Sequence, residues 1–134
     1  EICRIALRKK SKAHCELEKI IYDRLEFLED GKIAFAYLNL EDYENTHAEM
    51  GDDEGLVEML RDIEDVEVAV LLKEKEGANG YKASLRSHET VNVSDICMLL
   101  GGGGHRGAAG CFINGTLDQA KTKIINAVKQ GLKK

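Results

Sequence analysis

The spacing of apolar positions predicts helices and strands that alternate along the first half of the chain. Apolar residues recur at helical intervals from Ala13 to Leu28, and Gly31 stands where a helix of this kind ends. The stretch KIAFAYL is almost entirely apolar, as is typical of a buried strand. A further helix has Asp52 or Asp53 as its expected N-cap. The elements predicted for this half are a helix that ends before Gly31, a strand over 32–38, a polar helix over 41–50 and a helix over 51–63.

The second half of the chain shows the patterns of three further strands and two helices. VEVAVLLKE is nearly continuous in apolar residues, as expected of a central strand covered on both faces. The turn signal GANG then leads into a returning strand, YKASLRS. The elements predicted for this half are strands over 66–74, 81–87 and 111–114, a short helix over 91–100, one more helical step at 108–110 and a last helix from 117. We therefore expect a single α/β domain, with a small mixed β-sheet of four to five strands flanked by helices.

Length, composition and charge narrow the function classes. The 134 residues fit one domain, and 43% of them are hydrophobic and 32% charged, as in ordinary globular proteins. The sequence shows no signal peptide and no apolar run near the ~18 residues of a membrane span, so we expect a cytoplasmic protein without a membrane partner. The formal net charge of −5 argues against a surface that grips long nucleic acids. A small anionic ligand in one focused pocket remains compatible with it.

Two groups of candidate metal ligands have simpler structural explanations. The cysteines at positions 3, 15, 97 and 111 lack the spacing of zinc ligands, and we expect buried free thiols. The acidic residues at 52–54 are explained by the start of a helix, where negative charge is favourable, better than by a metal site.

The stretch LLGGGGHRGAAG, residues 99–110, is the strongest candidate for a ligand site. Consecutive glycines let several backbone N–H groups turn toward one point, and a helix that starts after them would add its own unpaired donors. Such an arrangement binds phosphate, and His105 would add a side-chain donor. The alternative is a glycine turn where two elements pack too closely for side chains. The run matches neither the P-loop nor the dinucleotide fingerprint.

The strand over 81–87 carries a second candidate. Its alternation directs Lys82, Ser84 and Arg86 to one face. Arg86 would supply a planar fork suited to phosphate or to stacking on a base, and Ser87 a hydroxyl, if the glycine run lies alongside. A plain solvated face explains the same alternation equally well.

These stretches carry a family resemblance. SLRS (84–87), VNVSDI (91–96) and GGGGHRGAAG (101–110) resemble, in order and spacing, the signature of the DHH-associated C-terminal domain of the DHH phosphoesterase superfamily. Residues 52–74 are similar to the oligoribonuclease and pAp-phosphatase branch (NrnA-like). The resemblance implies a DHH-associated substrate-binding domain over 31–134. Residues 1–30 then look like a connector helix from an N-terminal catalytic domain, and the opening Glu1 suggests a chain cut from a longer protein.

The resemblance also implies a division of labour. In that family an N-terminal domain bearing Asp-His-His holds two manganese or magnesium ions, and the associated domain grips the substrate. Carried over by position, the substrate-binding residues are Arg86, Ser87, Gly102, Gly103, Gly104 and His105. The sequence contains no Asp-His-His, so we expect no catalytic residue, metal ligand or cofactor here, and no activity of this chain by itself. The parent protein would be a phosphodiesterase or phosphatase acting on short oligoribonucleotides or pAp-like nucleotides.

Other functions remain open from the sequence. Related domains imply a non-catalytic module that binds single-stranded nucleic acid, although three Phe, four Tyr and no Trp offer few stacking platforms. A domain of a cyclic-dinucleotide phosphodiesterase is a second alternative, and it is similar to the phosphoesterase that the resemblance implies. A homodimer formed through an exposed sheet edge is a third alternative, which leaves the glycine run unexplained.

Overall fold

A computed structural model describes residues 10–133 of the chain. The predictions that concern residues 1–9, including the thiol of Cys3, lie outside the described residues. The elements in chain order are α1 (Lys12–Arg24), β1 (Glu26–Leu28), β2 (Ile33–Leu38), α2 (Leu40–Thr46), α3 (Leu56–Arg61), β3 (Val68–Lys75), β4 (Gly80–Ser87), α4 (Val93–Met98), β5 (Gly103–His105), β6 (Ala108–Asn114) and α5 (Leu117–Leu132).

The strands form one mixed sheet in the order β1-β2-β3-β4-β6-β5. Strands β2 and β3 are parallel, and every other neighbouring pair is antiparallel. The predicted α/β domain with a mixed sheet is confirmed. The described residues form six strands instead of four to five, because the pattern did not reveal the three-residue strands β1 and β5.

Helices cover both faces of the central strands. Side chains of β3 alternate between the faces: Val68, Val70 and Leu72 join the core under α4 and α5, whereas Ala69 and Leu71 join the core under α1 and α3. Because both faces are buried, β3 is nearly continuous in apolar residues, as the sequence predicts.

The first helix is shorter than its apolar spacing suggests. Helix α1 ends at Arg24, and the chain then enters β1, which pairs with β2 through a turn in which Glu29 and Asp30 have φ of 52° and 57°. The strand pairing captures residues 26–28, so the prediction of a helix up to Gly31 is wrong there. Leu17 and Ile21 of α1 are fully buried against the sheet. Helix α1 is therefore packed onto this domain, and its role as a connector to another domain stays a prediction.

The acidic run before α3 does not cap that helix. Helix α3 begins at Leu56, after Gly55 with φ of 82°. The carboxylate of Asp52 accepts hydrogen bonds from Ser11 Oγ at 2.8 Å and from the backbone N–H of Glu49 at 2.7 Å. Asp53 accepts one from the Tyr43 hydroxyl at 2.8 Å. The predicted N-cap is wrong because both carboxylates have partners elsewhere.

Three further predictions meet the structure at single elements. The polar helix expected over 41–50 spans only Leu40–Thr46, and it ends at His47, whose φ is 57°. Cys97 and Cys111 are buried thiols as predicted, but Cys15 is exposed. Over the described range, no helix combines the length and the apolar character needed to cross a bilayer.

Candidate functional site

The glycine run ends one helix and enters a strand. The N–H groups of Gly101 and Gly102 donate to the carbonyls of Met98 (3.2 Å) and Cys97 (2.9 Å), and Gly101 has φ of 86°. This is the pattern of a Schellman motif, in which glycine closes the end of a helix. Strand β5 follows and forms a hairpin with β6. The predicted helical step at residues 108–110 is wrong because these residues pair with β4 and β5, so no helix start supports a phosphate here.

Sterics account for two of the remaining three glycines. A Cβ at Gly102 would contact the carbonyl of Gly110 and lie 2.5 Å from Cys111 Cβ. A Cβ at Gly104, where φ is 151°, would lie 2.7 Å from the carbonyl oxygen of Ala108. At Gly103 the nearest atom, Met98 Cγ, is 4.0 Å away, and φ is not positive. Within the described residues, Gly103 is thus the member of the run without a steric or conformational reason to be glycine.

The strand register places Arg86 and His105 in one row across the sheet. Arg86 on β4 and His105 on β5 both pair with Ala108 on β6. Directly paired residues point to the same face, and strands lie ~4.8 Å apart, so the two Cα atoms are separated by roughly 10 Å with only a methyl group between them. Two predicted site residues that are 19 positions apart in the sequence therefore share one face of the sheet.

Helices leave this face open over β6 and β5. Ala109, Cys111 and Ile113 of β6 are buried in the core under α4 and α5, whereas the alternating positions are exposed or partly exposed. Among residues 10–133, the core under α1 and α3 contains no residue of β5 or β6. We call this surface the open face. The sheet positions that form it are Lys82, Ser84, Arg86, Gly103, His105, Ala108, Gly110 and Phe112.

Small residues make the floor of the open face, and the longer polar side chains stand around them. A Cβ at Gly110 would lie 2.9 Å from Lys82 Cε, which shows that the lysine side chain extends across β6 at this point. The ring of Phe112 packs over Gly80 at the far end, where a Cβ would lie 2.6 Å from Phe112 Cζ. A ligand can therefore approach the backbone of β6 most closely near Ala108, whereas the Lys82 side chain lies over Gly110.

Arg86 forms an ion pair with α3. Its Nε donates to Glu58 Oε2 at 2.9 Å, and its Nη1 donates to the carbonyl of Leu85 at 2.9 Å. Partial burial on its own raises the pKa of Glu58, but the hydrogen bond from Arg86 and the charges of Arg86 and Arg61 outweigh it, so the pKa lies below its ordinary value. The carboxylate is ionised at neutral pH and holds the guanidinium.

Ser87 is turned away from the open face. It is buried, and its hydroxyl donates to the carbonyl of Val91 at 2.7 Å and accepts from the N–H of Glu89 at 3.2 Å. Its own N–H donates to the carbonyl of Gly107 at 3.0 Å. In this conformation both donors of Ser87 are used to hold the turn after β4 and the β5–β6 hairpin.

An open cleft adjoins His105. It has a volume of about 480 Å³ and is lined by Arg61, Ser87, His88, Glu89, His105, Gly107 and Ala108. The Nε2 of His88 donates a hydrogen bond to the carbonyl of Arg61 at 3.0 Å, which connects the turn after β4 to α3. Arg61 and Glu89 carry the formal charges of the cleft, and the imidazoles of His88 and His105 add hydrogen-bonding groups.

Sequence reasoning missed Glu58 and Arg61. They lie three residues apart on α3 and so share one side of the helix, but the pattern gives no sign that this side faces the end of β4.

Among residues 10–133 no group of three or more His, Cys, Asp or Glu side chains could hold a metal ion.

Comparisons with known proteins agree with this architecture. The chain is 39% identical over 82 residues to the bifunctional oligoribonuclease and PAP phosphatase NrnA of Thermus thermophilus, a match that covers 60% of this chain and 25% of that protein. An exopolyphosphatase-related protein from Bacteroides fragilis superposes with a TM-score of 0.86 at 25% identity, over 96% of this chain and 38% of that one. The pGpG-specific phosphodiesterase PggH from Vibrio cholerae shares the fold, with a TM-score of 0.63 at 14% identity over 90% of this chain and 40% of that one.

The chain thus spans about a quarter of the curated relative and about two fifths of these two structures. The DHHA1 domain family matches residues 30–134, which include the open face and both strands of the hairpin beside it. This chain belongs to the DHHA1 domain family of DHH phosphoesterases.

Proposed function

We propose that this chain is the substrate-binding domain of a phosphoesterase and that it holds a phosphate of a short oligoribonucleotide or pAp-like nucleotide on the open face. The observation that carries the proposal is the shared row of Arg86 and His105 on either side of Ala108. The related T. thermophilus protein, described as an oligoribonuclease and PAP phosphatase, supports this substrate class. Hydrolysis would take place in a separate N-terminal domain that holds manganese or magnesium, so this chain binds without cutting.

The side chains of the open face suit a phosphate. A guanidinium has five N–H donors, and Arg86 uses two of them for Glu58 and Leu85. The others, on Nη1 and Nη2, can form charge-assisted bonds to phosphate oxygens. His105 is exposed and can donate a further hydrogen bond from the opposite side. Both groups would grip one anion from two sides.

The glycines contribute through the backbone. Strand β5 is an edge of the sheet, and edge strands present N–H groups that no neighbouring strand pairs. Gly102, Gly103 and Gly104 carry no side chain that would keep a phosphate from this edge. Ser87 would contribute by holding the turn between β4 and the hairpin, because its donors are already engaged.

Isothermal calorimetry with a 5′-phosphorylated diribonucleotide tests the proposal. The unchanged chain should release heat on binding, and Arg86→Ala and His105→Ala should each weaken binding by about 10- to 100-fold, the loss expected for a hydrogen bond to a charged group. Lys123→Ala is the matched control, because it removes an exposed positive charge from α5, on the other face of the sheet. It should leave the affinity unchanged.

The length of the ligand distinguishes this function from a module for single-stranded nucleic acid. Equal affinity for two and for ten nucleotides supports a site for one short end, whereas affinity that rises with length indicates a binding track. The full-length protein should be titrated in parallel, with EDTA present so that metal-dependent hydrolysis does not consume the ligand. Absence of binding by both forms at millimolar ligand would refute the proposal.

A further inference from the structure

Two contacts fix the plane of the Arg86 guanidinium. Nε donates to Glu58 and Nη1 donates to the carbonyl of Leu85, both at 2.9 Å. The guanidinium is a rigid planar group, so two anchors on different nitrogens determine its orientation as well as its position. Its unused N–H donors lie on Nη1 and Nη2, at the tip of the side chain.

Glu58 is itself carried on a firmly attached helix. Its neighbours Leu56, Val57 and Leu60 on α3 are buried in the core under α1 and α3. The Glu58 side chain remains 37% exposed and that of Arg86 24% exposed. A stability role for such a pair is small, because solvent screens partly exposed ion pairs. The main effect of this contact is therefore on the conformation of Arg86, whose long side chain lies beside a candidate anion site, and not on the stability of the fold.

We infer that Glu58 is a positioning residue, which orients Arg86 so that the tip of its guanidinium faces a phosphate on the open face. This inference rests on the proposed function. It predicts that loss of Glu58 weakens anion binding, although the substitution removes a negative charge from the neighbourhood of an anion. A carboxylate that merely occupied Arg86 in competition with the ligand would have the opposite effect.

Binding measurements on Glu58→Ala and Glu58→Gln separate these two roles. The full-length protein in EDTA is titrated with the 5′-phosphorylated diribonucleotide. Glu58→Ala leaves Arg86 to be ordered by the ligand, and immobilising one long side chain weakens binding by roughly three- to tenfold. Glu58→Gln retains an acceptor for Nε while removing the charge, so its affinity should equal or exceed that of the unchanged protein.

The same substitution in an Arg86→Ala background supplies the control for a structural effect. Without Arg86 there is nothing to orient, so Glu58→Ala should no longer weaken binding, and the two substitutions should be strongly non-additive. A ligand-independent measurement accompanies the titrations. The NMR order parameter of the Arg86 Nε–H bond should fall in Glu58→Ala and persist in Glu58→Gln.

Each outcome decides the inference. Tighter binding by both Glu58 variants would show a competitor and overturn it, and so would equal weakening of binding with or without Arg86. An unchanged order parameter of the Arg86 Nε–H bond in Glu58→Ala would also overturn it. If the unchanged full-length protein fails to bind the diribonucleotide, the proposed function itself fails, a result that is distinct from binding that is insensitive to Glu58.

Discussion

Alanine substitutions at Gly102 and Gly103 separate the structural need for glycine from a functional one. The two positions are adjacent and neither has a positive φ. A Cβ at Gly102 would meet the backbone of Gly110 and lie 2.5 Å from Cys111 Cβ, neither of which can move without shifting β6. At Gly103 a Cβ would find its nearest neighbour, Met98 Cγ, 4.0 Å away.

The magnitudes follow from these contacts. Gly102→Ala inserts a methyl group into packed backbone and should destabilise the fold by about 1–3 kcal/mol, toward the upper end because backbone atoms must move. Gly103→Ala fits without strain and should stabilise it by about 0.4–1 kcal/mol, because alanine restricts the unfolded chain. We therefore expect a difference of about 2 kcal/mol or more in the free energy of unfolding between the two variants.

Urea denaturation followed by circular dichroism measures that difference. Calorimetry with the 5′-phosphorylated diribonucleotide completes the experiment, because Gly103→Ala should remain folded yet bind more weakly if bare backbone at this edge serves the ligand. The steric reasoning would be refuted if Gly103→Ala lowered the free energy of unfolding by more than about 1 kcal/mol, or if Gly102→Ala did not lower it at all. A stable Gly103→Ala with unchanged affinity would remove Gly103 from the proposed site.

Three further predictions concern stability. Leu17→Ala should lower the free energy of unfolding by about 2–5 kcal/mol, because Leu17 is fully buried. Thermal unfolding measures this change, and an unchanged free energy of unfolding would show that α1 does not pack on the sheet. Asp42→Ala should lower the free energy of unfolding by about 3 kcal/mol, because it leaves Arg24 without the carboxylate that accepts hydrogen bonds from both of its terminal nitrogens in a largely buried site. Urea denaturation measures this loss, and a loss of free energy below about 1 kcal/mol would contradict the reasoning. The pKa of Glu58 is lowered because the Arg86 hydrogen bond, a backbone hydrogen bond and the charges of Arg86 and Arg61 together outweigh the opposing effect of burial. This interaction contributes stability above the ordinary glutamate pKa, and the contribution is lost as pH falls through the lowered value. The unchanged chain should therefore lose more stability between pH 5 and pH 3 than Glu58→Gln, and equal losses would argue against the ion pair.

Local pattern was sufficient where one segment determines its own environment. The alternation along β4 correctly directs Lys82, Ser84 and Arg86 to one face, opposite the core that holds Tyr81, Ala83 and Leu85. The continuous apolar run of β3 correctly predicts a strand buried on both sides. These predictions need only the two-residue period of a strand and the tendency of apolar side chains to leave water.

Local pattern failed where hydrogen bonds to another strand decide the conformation. Residues 108–110 have the small side chains of a helical step, but they become part of β6 because they pair with β4. Residues 26–28 continue an apolar helical pattern, yet pairing with β2 makes them strand β1. In both cases tertiary pairing overrides a weak intrinsic preference.

The sequence by itself determined the α/β class, the central strands, the face of Arg86 and the family signature that includes His105. Only the tertiary structure decided that Arg86 and His105 lie opposite the same residue, that Glu58 holds Arg86, and that Ser87 is engaged in the turn after β4. The physical reason is that strand register is fixed by hydrogen bonds between segments far apart in the chain. A shift of two residues in that register would leave every side chain on its own face but give Arg86 and His105 different partners, so the alternation within each segment does not specify it.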